Sequence, residues 1–352
     1  MGGKVVAIDI GSKNIHMAEG MYKAGVLEID RLAEFPTPTN SFIEGRIEDR
    51  DAMKEAIRAG LTQNKIRAGN VILAVQGTSV ITRELVLPEV KNQQLPGMIK
   101  YEMEQFIPDA ISGYAMESRV LAAVTEDGVK KLRIRAAAMP KDIAEGYYSL
   151  IRELKLRPVA LDIHLNAVSK LFKGNLQINS ETFSSERTVA LIDFGHRNTV
   201  INILSGGILE FSRTVSYGSR DLDAALAGYY DIPAEKAEQK KIRELQISGA
   251  DAHADGMEES NAPVRPVLQQ WTQELQKVLQ YYASRNPENK PESIYLYGGG
   301  SRLNGLAGYL GNLPGIRSVS RISSIGHIRQ RNAGGTPDIG NYLNALGAMI
   351  RL

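Results

Sequence analysis

The alternation of apolar and polar positions divides the chain into strands, turns and helices before any residue is given a role. Val5, Val6, Ala7, Ile8 and Ile10 make an apolar strand with one charge, Asp9, inside it, and Gly11 and Ser12 then turn the chain. Desolvating a carboxylate without a partner is costly, so Asp9 belongs at the open end of the strand, facing a cation or a cleft. Gly11 lets backbone N–H groups approach a ligand, and Ser12, Lys13 and Asn14 add donors, which makes an anion-binding turn. A single copy fits an ordinary Asp-x-Gly hairpin equally well. The pattern returns about half the chain later: Val189, Ala190, Leu191 and Ile192, then Asp193, Gly195 and the polar run His196, Arg197, Asn198, Thr199 before a second β-rich stretch. Self-similarity on this scale predicts two similar halves facing one another across a cleft. In a third stretch, the strand 294–297 runs into Gly298, Gly299 and Gly300. Ser301 then caps a helix with Leu303, Leu306, Ala307 and Leu310 on one face. Strand, glycines and helix N-terminus form the geometry in which a backbone passes close under a nucleotide.

The rest of the pattern fills in the two halves. Strands are predicted over 15–18, 26–35, 71–75 and 82–87, an irregular loop over 37–48, and a helix over 51–61 with Met53, Ile57 and Leu61 at i, i+4 and i+8. A helix over 95–107 carries Leu95, Ile99, Met103 and Phe106 on one stripe, with Tyr101 off it. A hairpin follows, 114–124 and 131–139 across a turn at 126–128. In its second strand Leu132, Ile134, Ala136 and Ala138 alternate with Arg133 and Arg135, so one face is expected to be wet. With a helix over 140–154, these elements predict a small α+β unit, about 88–157, inserted into an N-terminal half spanning 1–187. A loose surface loop over 174–186 is expected to close the N-terminal half, and the C-terminal half, 188–352, to hold a strand over 208–216 and helices over 218–230, 234–245 and 266–285. A final core helix is expected over 338–352. Residues 248–264, poor in apolar side chains, read as a disordered or mobile loop.

Composition narrows the function classes. At 352 residues and 43% hydrophobic, the chain can fill two cores. Its 42 basic residues are interspersed with 40 acidic ones, with no Lys/Arg tract, which argues against nucleic acid. There is no cysteine, and the five histidines show no zinc-ligand spacing. No apolar run reaches the roughly 18 residues of a membrane span, and no signal peptide is evident. A cytoplasmic protein with no membrane insertion of its own is expected.

Together the three glycine-containing stretches, in this order, resemble the actin-like ATPase superfamily, which includes actin, sugar kinases, heat-shock chaperones and FtsA. The resemblance implies an α/β actin-like fold around an ATP cleft. Asp9 and Asp193 would hold a hydrated Mg²⁺, an ion that keeps waters and takes few direct carboxylates. Gly11, Ser12, Lys13 and Asn14 would bind phosphates from one wall, with Gly195, Asn198 and Thr199 on the other. Gly298, Gly299, Gly300 and Ser301 would lie along the adenosine. Gly218 begins a helix where the family usually carries a Gly-Gly pair and a later Thr; here Ser219 and Asp223 stand instead. Glu238 and Lys241 match the family's Ala-Glu-x-x-Lys pattern, whose Glu and Lys reach ribose and base, though a solvated i, i+3 ion pair accounts for them too. Gln76 is the one candidate for orienting an attacking water, and it also fits a loop-capping role.

Three further segments are more specific. Arg83–Pro88 (RELVLP), Ile99–Pro108 (IKYEMEQFIP) and Leu154–Phe172 (LKLRPVALDIHLNAVSKLF) resemble the PilM family, FtsA-like cytoplasmic components of type IV pilus assembly. This resemblance implies an ATP-binding scaffold at the inner face of the membrane, among other pilus assembly proteins. It would dock the short N-terminal tail of a PilN-like bitopic partner beside the inserted subdomain, with Tyr101, Arg133 and Arg135 as docking candidates. An FtsA-like filament former and a small-molecule kinase of the same superfamily are the competing expectations.

Overall fold

One strand plan is built twice. In the computed structural model, which describes residues 3–91, 93–126, 128–248, 261–331 and 338–351, the first half opens with the meander β1 (Val5–Ile10), β2 (Asn14–Lys23) and β3 (Val26–Pro36). A short finger, β4 (Phe42–Ile43) and β5 (Arg46–Ile47), leads to α1 (Arg50–Gln63) and β6 (Asn70–Val75). The lobe elements follow: β7 (Ile81–Pro88), α2 (Leu95–Glu104), β8 (Tyr114–Glu126) and β9 (Val129–Pro140). After them come α3 (Lys141–Glu153), β10 (Arg157–Ile163), α4 (His164–Lys170) and the hairpin β11 (Leu176–Ile178) and β12 (Glu181–Phe183). The second half comprises β13 (Val189–Phe194), β14 (Thr199–Ser205), β15 (Ile208–Val215), α5 (Ser219–Tyr230), α6 (Ala234–Glu244), α7 (Arg265–Arg285) and β16 (Ser293–Tyr297). It ends with α8 (Leu306–Leu310), β17 (Ser318–Arg321), β18 (Ile328–Gln330) and α9 (Leu343–Met349).

The first sheet runs β10-β6-β1-β2-β3-β18 and the second β15-β14-β13-β16-β17. In each, a central strand pairs antiparallel with the next strand in sequence and parallel with a later one: β1 with β2 and β6, β13 with β14 and β16. The added strand β18 comes from the second half and pairs with β3, so the halves share a sheet edge. β13 is buried along its whole length and β1 along all but Val5, as their unbroken apolar runs require of strands covered on both faces. Between the halves, every residue of α9 is buried. It packs closely on α4 because Gly347 has no side chain: a Cβ there would lie 2.1 Å from the Ala167 carbonyl oxygen.

The inserted lobe has its own sheet, β7-β9-β8, and its own core of Leu85, Leu87, Ile99, Met103, Ile107, Ile134, Ala136 and Ala138. Its limits differ from the 88–157 expected. β7 joins the lobe sheet. Ile143, Tyr147, Leu150 and Ile151 of α3 instead bury with Val6, Ile8 and Val71 of the first half. α2 ends at Glu104 rather than at 107, which leaves Phe106 outside the stripe, 41% exposed, with the Arg83 guanidinium 4.6 Å over its ring. Segment 174–186 is not loose: the β11–β12 hairpin buries Ile178 and Phe183 in the core. The loop at 37–48 contains the β4–β5 finger. The final helix starts at Leu343, not 338. Much of the predicted mobile loop, 249–260, lies outside the described residues, as do Asp127 of the lobe turn and Leu352. Of that loop's described positions, Asn261 and Val264 are buried.

The face of β9 expected to be wet is turned toward the second half. Arg133 and Arg135 both pair with Glu84 on β7; Arg135 also donates to the Leu209 carbonyl at the start of β15, and Arg133 lies 3.8 Å from Glu210. Glu210 in turn accepts from the Tyr282 hydroxyl at 2.5 Å. These arginines form a seam between lobe and second half and are only partly exposed, where a solvated face was expected. Tyr101, 67% exposed, keeps its place on the outer surface of the lobe.

Candidate functional site

The two Asp-x-Gly turns have the same geometry. Gly11 N–H donates to the Asn14 carbonyl at 3.0 Å, and Gly195 N–H to the Asn198 carbonyl at 3.1 Å. A Cβ on Gly11 would stand 2.8 Å from the Asn14 carbonyl oxygen, and on Gly195 2.5 Å from that of Asn198, so closeness of backbone to backbone demands glycine at both. The turns follow the carboxyl ends of β1 and β13. The glycine run follows β16 in the same way, and carboxyl ends of parallel strands are where open α/β sheets place ligands. All three face a cleft of about 840 Å³ whose walls include Asp9, Gly11, Ser12, Lys13, Asn14, Asp193, Gly195, Asn198, Gly298, Gly299 and Gly300. Gly298 has φ +80°, and a Cβ on it would meet Asp193 Oδ1 at 2.1 Å.

At the cleft floor the two carboxylates share one donor: Asn344 Nδ2 lies 3.0 Å from Asp193 Oδ2 and 3.4 Å from Asp9 Oδ2. Asp9 Oδ1 is 2.8 Å from His164 Nε2, and His164 Nδ1 is 2.9 Å from Gln76 Oε1. Burial disfavours the charge on Asp9, but the His164 imidazole beside it holds the carboxyl below its usual range. Asp193 has no such partner. Burial, reinforced by Asp9, pushes it up to about 6 against Asn344 and His164. The described residues contain no cluster of three or more metal-ligating side chains. Among the described residues Asp9 and Asp193 are partnered by His164 and Asn344 and by no Lys or Arg, and two buried carboxylates so placed fit a hydrated Mg²⁺, which needs few direct ligands.

The cleft also joins its walls through charged pairs. Lys13 Nζ bonds Glu238 Oε2 at 2.7 Å, linking the first turn to α6. Lys241 lines the cleft, but its Nζ pairs with Asp223 Oδ1 at 2.7 Å and also donates to the Ser219 carbonyl, so the ammonium is not directed at a ribose or base. Three expected contacts lie behind the walls. The Thr199 hydroxyl donates to the Tyr217 carbonyl at 2.8 Å, and the Ser301 hydroxyl to the Gly298 carbonyl at 2.6 Å. Gly218 packs on the second turn, where a Cβ would lie 2.3 Å from the His196 carbonyl oxygen. None of these three residues lines the cleft itself. Gln76 does line the cleft, with its side chain engaged by His164.

His164, Asn344 and Glu34 are the site residues that motif reasoning missed. His164 follows the carboxyl end of β10, beside β6 in the same parallel set, which is the signal that could have found it. Asn344 is a polar residue in a helix otherwise apolar and fully buried, a pattern that asks for a partner.

Comparison with solved structures gives the same architecture. A PilM–PilN type IV pilus biogenesis complex contains a chain that superposes with a TM-score of 0.81 at 22% identity, over 99% of this chain and 98% of that one. The ethanolamine utilization protein EutJ from Carboxydothermus hydrogenoformans aligns with a TM-score of 0.58 at 15% identity, over 99% and 90% of the two chains. MreB5 of Spiroplasma citri bound to AMPPNP aligns at 0.54 and 12% identity, over 98% and 94%. These likenesses establish the actin-like ATPase fold. The sequence itself matches the family model of type IV pilus assembly protein PilM across residues 7–322, and the chain belongs to that family.

Proposed function

We propose that this chain is a nucleotide-binding scaffold of type IV pilus assembly. It would hold ATP·Mg²⁺ between its two Asp-x-Gly turns and dock the cytoplasmic N-terminal tail of a PilN-like bitopic membrane protein beside its inserted lobe. The observation that carries the nucleotide half is the repeated turn geometry, with Asp9 and Asp193 buried at the cleft floor beneath it. A related fold holding AMPPNP in MreB5 supports it, and a PilM–PilN complex of the same fold supports the choice of partner.

The chemistry follows from the residues. Lys13 and the N–H groups of the first turn would take the β- and γ-phosphates, at the cost of the Lys13–Glu238 pair. Asn198 and the Gly195 backbone would close the second wall, and the Gly298–Gly300 backbone would underlie the nucleoside. Mg²⁺, when bound, would neutralise phosphate charge and relieve the repulsion between Asp9 and Asp193. Gln76 would have to leave His164 before it could orient a water, which favours binding and slow hydrolysis. No helix among the described residues is long and apolar enough to cross a membrane, so association with the inner face of the membrane would run through the partner. An extended tail could add to a free strand edge of the lobe, main-chain bonds giving affinity and side-chain pockets specificity.

The test is a pull-down with a synthetic N-terminal peptide of the PilN-type partner. Wild type should retain the peptide, and Tyr101→Ala should weaken retention while leaving ATP binding intact. Undiminished retention after deletion of 81–140, in a chain that still folds, would remove the lobe from the docking site.

A further inference from the structure

Glu34 lies near the end of β3, beside the first turn, and its carboxylate is gripped from two directions. From the first half, Asn14 Nδ2 donates to Oε1 at 2.6 Å, and His16 Nε2 stands 3.7 Å from the same oxygen. From the opposite wall, Asn341 Nδ2 donates to Oε2 at 3.2 Å, and Arg302 Nη1 lies 3.6 Å from it. Asn14 belongs to the phosphate turn. Arg302 closes the short 3-10 turn that begins at Gly299, and Asn341 follows Gly340, whose carbonyl accepts from Gly298 N–H at 2.9 Å. One oxygen of Glu34 therefore serves the phosphate turn and the other the glycine turn. Glu34 faces the cleft, but a carboxylate beside a polyphosphate repels it, so its place among these donors is not that of a phosphate ligand.

We infer that Glu34 is a positioning residue that fixes the span between the phosphate-binding and nucleoside-binding walls, and so acts on ligands long enough to touch both. The inference rests on the cleft being a nucleotide site. Two linked weak contacts gain affinity from the link only where the geometry lets both engage at once. A preset spacing supplies that geometry with less ordering on binding.

The experiment compares ATP·Mg²⁺ with two ligands that reach one wall each, Mg²⁺-pyrophosphate and adenosine. Calorimetry would follow ATP and NMR titration the fragments, on wild type, Glu34→Gln and Glu34→Ala, with circular dichroism and thermal melting as checks on folding. Gln keeps an oxygen for Asn14 but loses the charge that faces Arg302. The expected result is a loss of about tenfold for ATP in Glu34→Ala and a smaller loss in Glu34→Gln, while pyrophosphate and adenosine each change by less than about twofold. If Glu34→Ala does not fold, Glu34→Gln carries the comparison alone. Unchanged ATP affinity, or equal loss for all three ligands, overturns the inference and leaves the nucleotide site standing. Absence of ATP binding in wild type overturns both.

Discussion

At the scale of residues, a few side chains and three missing ones, at Gly11, Gly195 and Gly298, set the cleft. Gly298 is the clearest case: its positive φ and the 2.1 Å that would separate a Cβ from Asp193 Oδ1 leave no room for alanine. Gly298→Ala should cost more than about 1 kcal/mol in unfolding free energy. By displacing Asp193 it should also weaken ATP·Mg²⁺ binding about tenfold or more. Denaturant unfolding and calorimetry on the same variant read the two effects, and intact ATP affinity would mean that Asp193 is not a ligand-side group. Glu34 makes a pH prediction. The His16 imidazole, joined by Arg302 and Asn341 against partial burial, holds its carboxyl down from 4.5 to about 2. A depressed carboxyl contributes stability above its unfolded pKa and loses it as pH falls toward the folded one. The melting-temperature advantage of wild type over Glu34→Gln should therefore be full above about pH 5 and shrink steadily toward pH 3. An advantage that stays constant over that interval would show that Glu34 is not held by its charge.

At the scale of elements, the lobe is a separate packing unit whose apolar face is filled by α2. Ile134, fully buried at its centre, is the single residue whose truncation should undo it. Ile134→Ala should cost about 2–5 kcal/mol through lost burial and the cavity left behind. It should reduce tail binding while ATP binding persists, since no residue of the Asp-x-Gly turns belongs to the lobe core. Limited proteolysis within the lobe, paired with the peptide pull-down, checks this; a variant that loses ATP and peptide together would show that the lobe and the cleft fold as one. The lobe also marks how far sequence reasoning reaches. The alternation in 131–139 identified its buried face correctly, because a period of two is intrinsic to a strand. It could not say what the other face meets: Arg133 and Arg135 look solvated from their own strand, and only the tertiary fold brings Leu209 and Glu210 of β15 up to them. The Asp-x-Gly turns were legible for the opposite reason. Their geometry is local, repeated twice, and closed by backbone bonds four residues wide. His164 and Asn344 were not, because each reaches the cleft floor from a different part of the chain, 155 and 335 residues from Asp9 in sequence. The hairpin at 174–186 escaped a reading based on polarity because only Ile178 and Phe183 of its two strands are buried.

At the scale of the whole molecule, two halves with the same strand order meet at α4 and α9 and share a sheet edge through β18. Nucleotide would bridge them above that contact, replacing the Lys13–Glu238 pair as the link at the mouth of the cleft. With Gln76 held by His164, turnover should fall well below the roughly 10 per second of an ordinary enzyme, and Gln76→Ala should change it little. A phosphate-release assay at saturating ATP measures this, and a rate near that value, abolished in Gln76→Ala, would assign Gln76 a catalytic role. The claim on which the account depends is that both halves contribute a carboxylate to one ATP·Mg²⁺ site. It is tested most directly by titrating ATP·Mg²⁺ into wild type and into the double variant Asp9→Ala, Asp193→Ala, with folding verified for each. Saturable binding by wild type that is lost in the double variant is the predicted result; equal affinity in the two proteins would contradict it.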